Sequence, residues 1–111
     1  MSEEQARRVG INEALFREVN EQIRSLSEDS AVQDGPIVVV CECGDADCAE
    51  RLELLLSSYE RVRADSLLFV IAKGHDFPGI ERIVEKADGY DVVEKRAEAA
   101  AEVSEETDPR S

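Results

Sequence analysis

Ile37-Val38-Val39-Val40-Cys41-Glu42-Cys43-Gly44-Asp45-Ala46-Asp47-Cys48 decides how this chain is read. Four consecutive β-branched residues follow the turn pair Gly35-Pro36, and that pattern predicts a buried strand. The strand runs into Cys41 and Cys43, which strand alternation places on one face. Gly44-Asp45-Ala46-Asp47 is turn chemistry, and it folds Cys48 back toward that face. Arg51-Leu52-Glu53-Leu54 then alternates polar and apolar, as a half-exposed strand does. The expectation is a β-hairpin whose tip holds all three cysteines of the chain.

Upstream of the hairpin, Ile11, Leu15, Phe16, Val19 and Ile23 recur at helical spacing. They predict a helix from Ile11 with this stripe on the core and Glu13, Arg17, Glu21 and Arg24 facing solvent. Asn12 is its expected cap, and Ser25–Ser30 with Gly35-Pro36 its stop. Residues 1–10 read as a flexible polar lead-in.

Downstream, Ser57-Ser58-Tyr59-Glu60 has the form of a capping box and predicts a short helix to about Ala64. Tyr59 and Val62 are assigned to its core side, with Glu60 and Arg63 as an exposed pair. Leu67–Ala72 is the second fully apolar run and predicts another interior strand, with Gly74-His75 just past its end. Asp88-Gly89 is a strong turn dipeptide between Ile83-Val84 and Tyr90-Asp91-Val92-Val93, so a hairpin is expected there. Residues 80–87 fit either its first strand or a short helix. From Arg96 the chain is rich in Ala and Glu, and residues 96–111 read as an acidic, largely disordered tail. The fold class is therefore α+β. A single domain over residues 11–95 has element order α-β-β-α-β-β-β, an N-terminal helix packing on one small mixed or antiparallel sheet of about five strands.

Composition bounds the function. The 111 residues are 42% hydrophobic, enough for one core. Against 26 acidic residues stand 13 basic ones, a formal net charge of −13. Residues 31–50 carry five acids and no Lys or Arg. Such a surface repels phosphate backbones, which excludes direct nucleic-acid binding as the expected role. It permits a basic protein partner. No run approaches the ~18 apolar residues of a membrane helix, and the first residues lack the apolar core of a secretory signal. Three cysteines do not make a closed disulfide framework, so a reducing cytoplasmic location is expected.

In that setting Cys41, Cys43 and Cys48 are three soft ligands lacking a fourth, and His75 is the only histidine in the chain. Zinc takes four tetrahedral N/S ligands, so the expected site is a structural Zn2+ held by Cys41, Cys43, Cys48 and His75. Two other readings compete. In one there is no metal, Cys41 packs as a small hydrophobe, and Cys43 and Cys48 are incidental thiols. In the other the cysteines form a thiol-based redox sensor, with Cys43 and Cys48 pairing across the turn. The acids Glu42, Asp45 and Asp47 oppose the thiolate that redox chemistry needs, and a bound cation removes the objection. A catalytic metal is the least favoured reading. Three thiolates make zinc a poor Lewis acid, and the glutamate that deaminases place two residues after the first ligand is here Phe77.

Phe16-Arg-Glu-Val-Asn, Cys41-Glu-Cys43-Gly, Tyr59-Glu-x-Val-Arg, Phe69-Val, Gly74-His75 and Tyr90-x-Val-Val-Glu-Lys95 together resemble a group of small uncharacterised bacterial proteins. The resemblance spans about residues 14–95. It implies a shared C-x-C-x4-C run and a downstream Gly-His, here Cys41, Cys43, Cys48, Gly74 and His75, in a bacterial cytoplasmic protein. It implies no activity. The expected function is a non-enzymatic zinc-binding interaction or regulatory module.

Overall fold

The computed structural model describes residues 2–28, 35–96 and 98–110. In chain order its elements are α1 (Glu3–Glu28), β1 (Pro36–Val40), β2 (Arg51–Leu55), α2 (Leu56–Arg63), β3 (Leu68–Ile71), β4 (Glu81–Ala87), β5 (Tyr90–Lys95) and α3 (Glu98–Glu106). The class is α+β and the expected order holds through β5.

The five strands make two antiparallel sheets rather than one. β1 pairs with β2, Ile37 opposite Leu54 and Val39 opposite Leu52. β5 lies between β3 and β4. At the end of β1 a side chain takes the outward backbone groups: Asn20 of α1 donates to the Val40 carbonyl and accepts from the Val40 N–H, both at 2.8 Å. A backbone bond just past β1, from the Glu42 N–H to the Val70 carbonyl (2.8 Å), ties the first hairpin to β3. Residues 81–87 are strand, so of the two forms open for 80–87 the strand is the one adopted. Gly89 supplies the hairpin turn with φ +86°, a conformation that costs an L side chain.

Ile37, Val39, Leu52, Leu54, Tyr59, Val62, Phe69, Val70, Ile71, Val92 and Val93 form one buried cluster, the apolar runs meeting as expected. Phe69 is at its centre, with the Arg17 guanidinium 4.6 Å from its ring centroid, Arg63 at 5.4 Å and Lys95 at 5.1 Å. Cations over an aromatic face are attracted by its quadrupole, the more so when desolvated.

Several expectations are corrected. The capping box does not form: α2 starts at Leu56 after Leu55, with no side-chain cap, and the Leu56 N–H bonds the Gly35 carbonyl at 3.0 Å. Glu60 instead meets Arg24 (2.5 Å) and Arg110 (2.6 Å), while Arg63, expected outside, is buried against Glu42. Helix extends into both segments read as a lead-in and a tail. α1 begins at Glu3 with Ala6 buried, and α3 packs on α1 with Val103 buried. The helix stop at Ser25–Ser30 lies partly outside the described residues.

The largest correction concerns the face of α1. Ile11, Leu15 and Val19 are 48%, 62% and 44% exposed, and Ala6, Glu13, Arg17 and Asn20 are buried in their place. Each inward polar side chain has at least one partner, although Glu13 Oε1 and Arg17 Nε have none among the described residues. Lys95 bonds both Glu13 and Glu81, all three without solvent access. Arg17 donates to the carbonyls of Ser66 and Ser104, both at 2.7 Å. Burial of polar groups is tolerated when they are paired this way.

Candidate metal centre

Alternation along the Cys41-Glu42-Cys43 segment sends the two cysteines one way and Glu42 the other. The Cys41 N–H bonds the Glu50 carbonyl at 2.9 Å, continuing the β1–β2 ladder past its last strand residue. Glu42 is fully buried. Its carboxylate accepts from Asn20 Nδ2 (2.8 Å), the Val70 N–H (3.0 Å) and Arg63 (3.4 Å). It is therefore turned away from the thiols and neutralised by Arg63, so it adds no charge around them as the sequence reading supposed. Asp45 and Asp47 are exposed.

The loop after Cys43 is held from both ends. Asp47 N–H bonds Asp45 Oδ1 (2.9 Å) and Cys48 N–H bonds the Asp45 carbonyl (3.0 Å), which turns Cys48 back. Asn12 Nδ2 holds the Gly44 carbonyl at 2.9 Å, so Asn12 anchors this loop instead of capping α1. A Cβ on Gly44 would land on Val9 Cγ1, well inside contact distance. Gly44→Ala should therefore destabilise the folded chain by about 1–3 kcal/mol, the usual cost of overpacking, read from the urea midpoint. An unchanged midpoint would mean that α1 moves away from the loop at no cost.

His75 comes from the turn after β3. Gly74 has φ +84° and the His75 N–H bonds the Ala72 carbonyl at 3.1 Å. That turn carries the imidazole to the hairpin tip. The ligand atoms of Cys41, Cys43, Cys48 and His75 all lie within 4.8 Å of one another. Nδ1 of His75 is 3.7 Å from Cys41 Sγ and 3.6 Å from Cys48 Sγ. A tetrahedral ion with bonds of about 2.3 Å to sulfur and about 2.0–2.1 Å to nitrogen sets S···N separations of roughly 3.6 Å. The four side chains can hold a metal ion.

Backbone N–H groups point at the sulfurs. Ala72 donates to Cys41 Sγ at 3.1 Å, Asp45 to Cys43 and Glu50 to Cys48. Such bonds favour thiolate, the form that binds metal. The Cys41 thiol is held below its ordinary pKa, first by its hydrogen bond with Cys43 and further by the Ala72 N–H, against burial. Cys43 is pushed up by the same bond and by burial, and Cys48 is pushed up by burial. Without a cation the cluster thus resists losing all three protons. A divalent ion supplies the charge that offsets this.

Cys41 and Cys43 are buried, and Cys48 and His75 half-buried. The adjoining cleft, lined by Cys43, Asp45, Gly74, His75, Asp76 and Phe77, holds about 240 Å3. That is below the usual 300–1,000 Å3 of small-molecule sites. The supporting residues Asn12, Asn20, Glu42 and Arg63 were not singled out from sequence for this role. For Glu42 a signal existed: alternation between two cysteines that face one way requires its side chain to point the other way. No helix among the described residues is long and apolar enough to cross a membrane. The chain matches no protein-family model, no curated protein and no solved structure.

Proposed function

We propose that this chain is a zinc-stabilised, non-enzymatic interaction or regulatory module of the bacterial cytoplasm, with Cys41, Cys43, Cys48 and His75 as the complete ligand set. The observation that carries it is the convergence of three sulfurs and one imidazole nitrogen within 4.8 Å. Zinc is favoured over other divalent ions by soft thiolate ligands in a tetrahedral set. A closed four-ligand site is structural, since catalysis needs an open position for water. The metal links the tip of the β1–β2 hairpin to the turn after β3, so its free energy of binding adds to that of folding. The net charge of −13 suits a basic protein partner.

The test is metal content of protein purified without added metal, beside a His75→Ala variant. About one zinc per chain, held more weakly by the variant, is the expected result under the four-ligand rule. Folded, metal-free protein with three titratable thiols would sink the proposal. A second reading, a thiol redox sensor using the same cysteines, draws support from the partial exposure of Cys48, the thiol that oxidants reach first. Zinc retained through mild peroxide would exclude it.

A further inference from the structure

Two small sheets leave strand edges on both sides, and most of them are guarded. Along β1 the outward groups of Val40 go to Asn20. Along β3 the Val70 N–H donates to the Glu42 carboxylate, and the Val70 carbonyl accepts from the Glu42 N–H. β4 carries a register shift between Ile83 and Glu85, a bulge of the kind that spoils an edge for pairing. β2 has no such device, and its register with β1 runs unbroken from Arg51 to Leu55. Its phase is fixed by two neighbours. Cys41 bonds Glu50, whereas Val40, which stands opposite Arg51, bonds Asn20 instead. Antiparallel alternation therefore turns the N–H and C=O groups of Arg51 and Glu53 away from β1. No hydrogen bond reaches those groups among the described residues, and neither side chain has an ion-pair partner there.

We propose that β2 is the interface of a two-fold symmetric homodimer, in which the free edges of two copies pair antiparallel about Leu52 into one four-stranded sheet. A two-fold interface must be self-complementary. Pairing about Leu52 sets Arg51 opposite Glu53 of the second copy and Glu53 opposite its Arg51. All the backbone groups involved point outward, so each pair exchanges two hydrogen bonds as well as joining opposite charges. The neighbouring in-phase registers fail. Pairing about Arg51 sets arginine on arginine, and pairing about Glu53 sets glutamate on glutamate. In the favoured register Leu55, 48% exposed, lies diagonal to Arg51 of the second copy, within reach of its methylene stem.

Charge identifies the occupant. At −13 the chain repels a second copy over most of its surface, but at ~0.15 M salt that repulsion reaches only about 8 Å. The outer face of β2 is itself neutral, with one arginine and one glutamate two residues apart. A uniformly basic segment would be drawn to Glu53 and repelled by Arg51. A strand with the same order of signs, running the other way, satisfies both, and β2 is such a strand. Pairing also relieves a weakness of the single chain, because a two-stranded sheet is marginal and one of four strands is not. The edge is five residues long, roughly 17 Å at about 3.4 Å per residue, so the dimer is a weak one.

The experiment is sedimentation of the full chain as purified, from ~1 μM to ~1 mM, the range in which weak association is resolved. The wild type should pass from the 12.3 kDa chain toward twice that mass. Arg51→Glu and Glu53→Arg each place like charges opposite one another at both symmetry-related positions, and each should weaken self-association about 10-fold. Both residues are exposed, so circular dichroism and metal content of the variants should match the wild type. The decisive sample is an equimolar mixture of the two variants. One then carries two glutamates on its edge and the other two arginines, so the mixed dimer should form at least as well as the wild type. A wild type that stays monomeric throughout would overturn the proposal. Variants that associate like the wild type would overturn it by placing the interface elsewhere, and a mixture no better than its components would overturn the register about Leu52.

Discussion

Stripped of zinc by a chelator, the chain should lose on the order of 20 °C of Tm, and re-addition of about one equivalent should restore it. The reasoning starts from size. A single domain of this length has about 5–15 kcal/mol of stability in all. Structural zinc binds small peptides with apparent free energies of about 10–16 kcal/mol, and in such proteins that energy is folding energy. If only ~4 kcal/mol of it survives as net stabilisation here, a shift of 4–8 °C per kcal/mol already gives about 20 °C. The loss should also be uneven. Phe69, Val70, Ile71, Val92 and Val93 pack around β3 and β5 without help from the metal. The β1–β2 pair is a separate two-stranded sheet, and such a hairpin is marginal by itself. Hydrogen exchange of the metal-free form should therefore rise most over residues 36–55 and around Gly74-His75, and least in β5. Cys41→Ser should reproduce the effect, since Cys41 is buried and also accepts the Ala72 N–H. A Tm unchanged in protein verified as metal-free would mean the four side chains carry no structural ion.

The parts of this architecture that local chemistry dictates were legible in the sequence. Ile37–Val40 and Leu67–Ala72 are apolar and β-branched enough to read as strands, and Ile37–Val40 and Leu68–Ile71 are strand. Asp88-Gly89 makes its turn because Gly89 accepts a positive φ. The grouping of Cys41, Cys43, Cys48 and His75 was legible for a different reason. Three soft ligands demand a fourth, and with one histidine in the chain the ligand count alone joined residues that are 27 positions apart. The face of α1 was not legible. Periodicity ranks residues by their own hydrophobicity, but here the inward side is chosen by partners far along the chain: Lys95 for Glu13, 82 residues away, Ser104 for Arg17, 87 away, and Glu42 for Asn20, 22 away. None of those partners is visible in a window of helical length. The contact that takes the outward groups of Val40 escaped for the same reason, because it comes from Asn20, a helix residue 20 positions away.

The same inward face of α1 gives the second large effect: Lys95→Met should destabilise the chain by about 3–5 kcal/mol, the usual cost of removing one partner from a buried ion pair. Lys95 is, among the described residues, the cation bonded to both Glu13 and Glu81, and all three side chains are at zero exposure. Methionine keeps the volume and the packing near Phe69 but leaves two carboxylates facing each other out of water. The pH dependence separates this electrostatic loss from a packing defect. Glu13 is pushed well above the ordinary carboxylate pKa, first by burial and also by Glu81, with Lys95 opposing. Its Oε1 has no hydrogen-bond partner among the described residues. An acid whose pKa is higher folded than unfolded takes up a proton on folding. Its contribution is complete below the unfolded value of about 4.3 and is lost as pH rises toward and through the folded value. Between about pH 5 and about pH 8, wild-type stability should therefore carry a component that falls with pH, and Glu13→Gln should remove it. In Lys95→Met the component should grow, because the cation that opposes the rise of the Glu13 pKa is gone. Urea midpoints at the two pH values, for the three chains, provide the measurement. A Lys95→Met deficit equal at both would assign the loss to packing. A deficit that shrinks in acid requires the buried ammonium to be what holds α1, β4 and β5 together.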